Sequence, residues 1–122
     1  VTVNLAEWSS QEDSQRSIQG IVSSSLNMTT ERARELLQRM DIRVMSLRNV
    51  GRKIAVFAVI DEMEVGDVLS NHIIRERVNE VLKGRQTLRM EAIARALMLF
   101  KRNGYVEVAE KTWNYTEYRR IA

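Results

Sequence analysis

The segment from Thr87 to Val108 constrains the fold more than any other, because it reads as an amphipathic helix that runs through a single glycine into a strand. Ile93, Leu97 and Phe100 recur at i, i+4 and i+7, with Met90 one turn earlier, so they make one apolar face. At about 100° per residue, Glu91, Arg95, Met98 and Arg102 fall on the opposite face. Thr87 belongs to the residue types that cap helix N-termini. Lys101 and Arg102 occupy the last turn, where cations suit the helix dipole, and Gly104 supplies a stop. Tyr105-Val106-Glu107-Val108 then alternates as a strand does.

The elements upstream follow from the same periodicities. Residues 1–8 alternate weakly, as a short strand or an arm. Ser9-Ser10-Gln11-Glu12 has the capping-box pattern, and Ile18, Ile21, Val22 and Leu26 follow at helical spacing, which predicts a helix over 10–25. Met28-Thr29-Thr30 opens a second helix over about 30–40, with Ala33, Leu36, Leu37 and Met40 on one face and Arg32, Glu35 and Arg39 on the other. Residues 42–60 read two ways. They are either a hairpin, with Ile42 to Leu47 and Lys53 to Ile60 as its strands, or a buried helix continuing through Asp61-Glu62-Met63. The downstream pattern favours the helix. Glu64 to Leu69 is a loop or a short strand. Ser70 or Asn71 caps a helix through about Leu82, with Ile74, Val78, Val81 and Leu82 inward. Lys83-Gly84-Arg85-Gln86 is a turn, Glu110 to Thr116 a hairpin tip, and Glu117 to Ile121 the return strand.

The 122 residues contain no cysteine, which excludes disulfides, thiolate metal sites and a cysteine nucleophile, and fits an intracellular location in cytoplasm, nucleoid or nucleus. No apolar run approaches the ~18 residues of a membrane span, so no membrane partner is expected. No signal-peptide pattern is visible from Val1 onward, which leaves open what precedes it. The tripeptides Asn27-Met28-Thr29 and Asn114-Tyr115-Thr116 are read as chance glycosylation sequons. No nucleophile elbow, phosphate-binding glycine loop or metal-protease helix is present, so neither enzyme activity nor a cofactor is expected. Asp61, Glu62, Glu64 and Asp67 lack calcium-loop spacing and read as a solvated face. His72, the single histidine, reads as a capping or surface residue.

The formal charge of +3 is mild, but it is unevenly spread. From Asp61 to Leu82, six carboxylates stand against two arginines, a net of −4. From Lys83 to Arg102, six cations stand against Glu91, a net of +5. A local basic surface of this kind suits a polyanionic partner.

From about Arg52 onward the order is helix, helix, basic turn, helix, strand, tip, strand. The fragment Arg95-Ala96-Leu97-Met98-Leu99-Phe100-Lys101-Arg102-Asn103-Gly104-Tyr105-Val106-Glu107-Val108 places basic residues, then Asn-Gly, then an aromatic, between a helix and a short strand. This resembles the winged helix-turn-helix, at the level of the fold, over roughly 70 of the 122 residues (about 52–121). One departure is the helix before the turn, which at about eleven residues is longer than the family's usual second helix. The implied class is mostly α with a small β-hairpin (α+β). A winged-helix domain at 49–122 would follow an N-terminal helical extension at 1–48 that completes the core or serves dimerisation.

The resemblance implies a third helix, about 87–103, in the major groove of double-stranded DNA, and a hairpin, about 105–121, as the wing. It would turn Thr87, Arg89, Arg95 and Arg102 toward bases or phosphates, bring Lys83 and Arg85 to the backbone, and set Lys111, Trp113 and Tyr115 near the wing tip. Such a protein would regulate transcription or replication, as a homodimer where two half-sites are read. The alternative is a winged helix serving protein interaction within a larger assembly, motivated by Met98 and Leu99 near the exposed face, the aromatic hairpin, the acidic 61–82 block and the modest net charge. Each residue also has an ordinary role. Arg95 has Glu91 at i−4 to pair with; Trp113, Tyr115 and Tyr118 are expected to pack across the hairpin; Arg119 and Arg120 are expected to be solvated. A third possibility, with strands in 42–60, makes the chain an α+β domain of another kind, its basic segment only one helix face.

Overall fold

A computed structural model describes residues 3–4, 26–40, 43–44, 50–82 and 87–122. In chain order they form β1 (Val3–Asn4), α1 (Thr30–Met40), β2 (Arg43–Val44), α2 (Val50–Glu62), β3 (Val68–Ser70), α3 (Asn71–Val81), α4 (Met90–Arg102), β4 (Val106–Lys111) and β5 (Thr116–Arg120). The class is α+β. The helix expected over 10–25 lies outside the described residues.

The ambiguous middle segment is helical from Val50, so the hairpin alternative for 42–60 is overturned. All seven residues from Ile54 to Ile60 are buried, because α2 packs against α1, α3 and α4 at once. A helix enclosed on all sides has no polar face, and that is why its periodicity is unreadable. Before it, Arg43–Val44 forms a short strand that pairs antiparallel with Val3–Asn4.

On α1 the expected faces hold. Ala33, Leu36, Leu37 and Met40 are buried in the same core as α2 and α4. The Thr29 hydroxyl accepts the Arg32 amide at 3.1 Å and caps the helix. Leu26, fully buried, bridges to Leu82, and the Asn27 amide donates to the Val81 carbonyl at 2.6 Å, so the entry to α1 is tied to the end of α3.

Asp61 corrects the reading of the acidic group as a solvated face. Its carboxylate, 8% exposed, pairs with Arg32 at 2.6 Å and Arg39 at 2.5 Å. The Arg32 guanidinium is held above its ordinary value, first by its hydrogen bond to Asp61. Arg120 corrects a second expectation. Its Nη1 donates to the carbonyls of Ile60, Asp61 at 3.0 Å and Met63. The last turn of α2 carries Asp61 and Glu62 and no base, which is unfavourable at the negative end of a helix dipole. Arg32, Arg39 and Arg120 supply from other elements the cations that its last turn lacks.

The three-stranded sheet has the order β3-β5-β4, both pairings antiparallel, so the last strand is inserted between the other two. Ser70 caps α3, its hydroxyl accepting the Ile73 amide at 3.3 Å. Helix α4 ends in a Schellman-type stop. The Gly104 amide donates to Lys101 O at 3.2 Å and the Tyr105 amide to Phe100 O at 3.0 Å, with Gly104 at φ +79°. The turn delivers Tyr105 onto Phe57 and Phe100, with ring centroids at 5.3 and 6.0 Å. Its hydroxyl donates toward the Met40 and Arg39 carbonyls, at 2.6 and 3.0 Å, and so closes the end of α1.

Candidate functional site

Helix α4 presents the two faces its spacing requires. Ile93, Leu97 and Phe100 are fully buried, while Glu91, Arg95, Met98 and Arg102 are exposed. The helix begins at Met90 rather than at 87. Arg89, in extended conformation, takes the N-cap position without a side-chain hydrogen bond, so Thr87 is not the cap. The approach is fixed instead from α3, where Asn79 Oδ1 accepts the Leu88 amide at 2.9 Å and the Leu88 side chain is buried. Thr87 and Arg89, on either side of Leu88, stay exposed. Lys83 and Arg85 lie outside the described residues.

Glu91 does not neutralise Arg95. Among the described residues, none of Arg89, Arg95, Lys101, Arg102 and Lys111 takes part in an ion pair. The cations on this side therefore face solvent, whereas Arg119, on the sheet, is taken up by Glu107 at 2.8 Å.

The hairpin beside α4 has two chemically different faces. Register places Val108 opposite Tyr118 and Lys111 opposite Thr116, and these four line a groove of about 290 Å³ with Ala94, Met98 and Lys101 of α4. Its floor is apolar and both its charged residues are lysines. The other face pairs Glu107 with Arg119 and Glu110 with Glu117. Like charges directly opposite one another are unfavourable, and the hydrogen bond Glu117 shares with Glu110 raises its carboxyl above the ordinary value. The Glu110 carboxylate also raises the Tyr115 phenol. A register shift between Val108 and Glu110 marks a bulge at Ala109, which re-aims the distal hairpin.

The strands run further than expected, leaving only residues 112–115 as the tip. Within it the Thr112 amide donates to Tyr115 O at 2.8 Å and the Tyr115 amide to Thr112 Oγ1 at 3.2 Å. Two contacts anchor the tip to the start of α3: His72 Nε2 lies 2.9 Å from Asn114 O, and the Thr116 amide donates to Asn71 Oδ1 at 3.3 Å. Trp113 sits at the apex and is 96% exposed, so the expected cross-hairpin packing fails for it. Tyr118 alone of the three hairpin aromatics packs against the core, and burial raises its phenol. An indole standing free on a hydrogen-bonded turn forgoes the burial that aromatics normally gain.

Sequence reasoning found the exposed face of α4 and the tip residues. It did not find Arg52 and Lys53, which adjoin Arg95 across a second groove on the other flank of α4. Their only sequence signal is two cations directly before the apolar run Ile54 to Ile60. Among the described residues no group of acidic, histidine or cysteine side chains could hold a metal, and no helix is long and apolar enough to cross a membrane. Comparison with known proteins found no matching family model, no matching curated protein and no matching solved structure.

Proposed function

We propose that the chain is a winged-helix protein that binds double-stranded DNA, with α4 as the groove-facing helix and the β4–β5 hairpin as the wing. The order α2, β3, α3, α4, β4, β5 and the sheet order β3-β5-β4 support the winged-helix reading. The observation that carries the DNA reading is the exposed side of α4, where Arg95, Lys101 and Arg102 face solvent with no ion-pair partner among the described residues, next to a hairpin holding Trp113 outward. Lysines and arginines so disposed neutralise phosphates, and an arginine on a groove-facing helix reaches guanine edges. Lys111 extends the basic strip onto the wing, while the acidic hairpin face points elsewhere. Regulation of transcription or replication, by a homodimer, is the role this suits.

Fluorescence anisotropy with a labelled random-sequence duplex, at low and near-physiological salt, tests the proposal. The expected affinity is ~10⁻⁴–10⁻⁶ M, weakening steeply with salt and abolished in Arg89→Glu/Arg95→Glu. Absence of binding at low salt refutes it. A second reading, a protein-interaction module within an assembly, is favoured by Met98 at 52% exposure together with Trp113. It requires negligible duplex affinity from the outset and a partner lost on Met98→Glu.

A further inference from the structure

Helix α4 carries Ala92 and Ala96, four residues apart, on the flank that faces the first turns of α2. Small side chains here leave the interhelical space unfilled, and a groove of about 280 Å³ opens, floored by these alanines and Leu99. Its remaining walls are Arg52, Lys53 and Arg95. Three cations therefore line one concavity, and among the described residues no carboxylate lines it. Among the described residues none of the three takes part in an ion pair. Lys53 is half-buried, and burial lowers its ammonium below the ordinary lysine value, as expected of a charge held without a counter-ion.

We propose that this groove is a phosphate-binding site formed by Arg52, Lys53 and Arg95. The number and kind of cations select the ligand. A monocarboxylate saturates one guanidinium and leaves two cations facing each other. A phosphate group has enough acceptor oxygens for both guanidinium forks and the ammonium. The apolar floor accepts the C–H face of an attached sugar or similar body. Arg95 belongs both to the groove and to the exposed face of α4, so a phosphate seated here is continuous with a polyanion lying along that helix. Assigning the phosphate to a DNA backbone rests on the function proposed above and extends the footprint to α2. A phosphorylated small molecule is the other source of the same chemistry.

The test uses the full chain and three proteins: wild type, Arg52→Gln/Lys53→Gln, and the charge-keeping Arg52→Lys/Lys53→Arg. Inorganic pyrophosphate, titrated at low salt and followed by amide chemical shifts, should perturb residues 52–53 and 92–99 saturably in wild type and in the charge-keeping variant. The glutamine variant should lose the response while keeping its circular-dichroism spectrum. For duplex DNA, the slope of log affinity against log salt should fall by about one to two units in the glutamine variant. Affinity near 0.1 M salt should drop about tenfold or more. Saturable pyrophosphate binding with an unchanged duplex slope supports the site and assigns it to a free phosphorylated ligand. If wild type binds pyrophosphate here but no duplex, the site stands and the DNA-binding reading fails. Absence of saturable pyrophosphate binding overturns the proposal even if the duplex slope falls, since diffuse charge loss would account for the slope.

Discussion

Replacing Arg120 with methionine removes a cation but keeps a stem of similar length, which tests what the guanidinium does at the end of α2; its other contact, Nε to the exposed terminal Ala122 carbonyl at 2.9 Å, adds little. Three carbonyls, those of Ile60, Asp61 and Met63, face one Nη1, which has two protons, so at most two full hydrogen bonds form at a time. A hydrogen bond to a charged group contributes about 1.5–3 kcal/mol; solvent screening of a half-buried group discounts these below that range, to about 1 kcal/mol each. The charge also opposes the negative end of the α2 dipole, worth about 0.3–1 kcal/mol. The expected loss is about 2–3 kcal/mol. With a urea m-value of about 2 kcal/mol/M, the midpoint should fall by about 1–1.5 M at unchanged m. The adjacent Arg119 is the control. It points to the opposite face of the sheet and pairs with Glu107, the two side chains being 42% and 48% exposed. Arg119→Met should therefore cost no more than about 1 kcal/mol. Equal losses for the two variants, or a loss under about 0.5 kcal/mol for Arg120→Met, would refute the capping argument.

Other outcomes follow from single contacts. Gly104 lies at φ +79° with open space around the position of a Cβ, so Gly104→Ala should cost about 1–2 kcal/mol from the backbone alone and Gly104→Asn less, both read from thermal melts. Leu36→Ala should cost about 2–5 kcal/mol in denaturant unfolding and keep a single transition, because Leu36 is fully buried in the core shared by α1, α2 and α4. Burial lowers the Lys53 ammonium and raises the Tyr118 phenol, so they act oppositely at alkaline pH. Between the lowered Lys53 value and the unfolded ~10.4, the unfolded chain binds more protons, so stability rises with pH. Above about 10 the folded state retains the Tyr118 proton, and stability falls as pH rises through the raised value. In stability-versus-pH curves, Lys53→Met should remove the rise and Tyr118→Phe the fall.

Amphipathic elements were legible because their pattern is local. The faces of α1, α3 and α4, the Ser70 cap and the Gly104 stop all follow from spacing along one helix, and each is present. The exposed stripe Glu91, Arg95, Met98 and Arg102, on which the functional proposal rests, is the complement of a buried stripe and needs no tertiary knowledge. Tertiary structure decided what depends on residues far apart in the chain. Enclosure by three other helices made Ile54 to Ile60 a helix, where a uniformly apolar run carries no period to choose by. Arg120 reached the end of α2 from some sixty positions away, and Asp61 drew Arg32 and Arg39 from another helix, because a helix ending in carboxylates accepts cations from wherever packing delivers them. The Asn79 contact to Leu88 set the start of α4 at Met90, over the local claim of Thr87 to cap it. The same holds for the groove where Arg52 and Lys53 meet Arg95. Sequence spacing relates residues on one helix, and a site formed between two helices exists only once the core has set their separation.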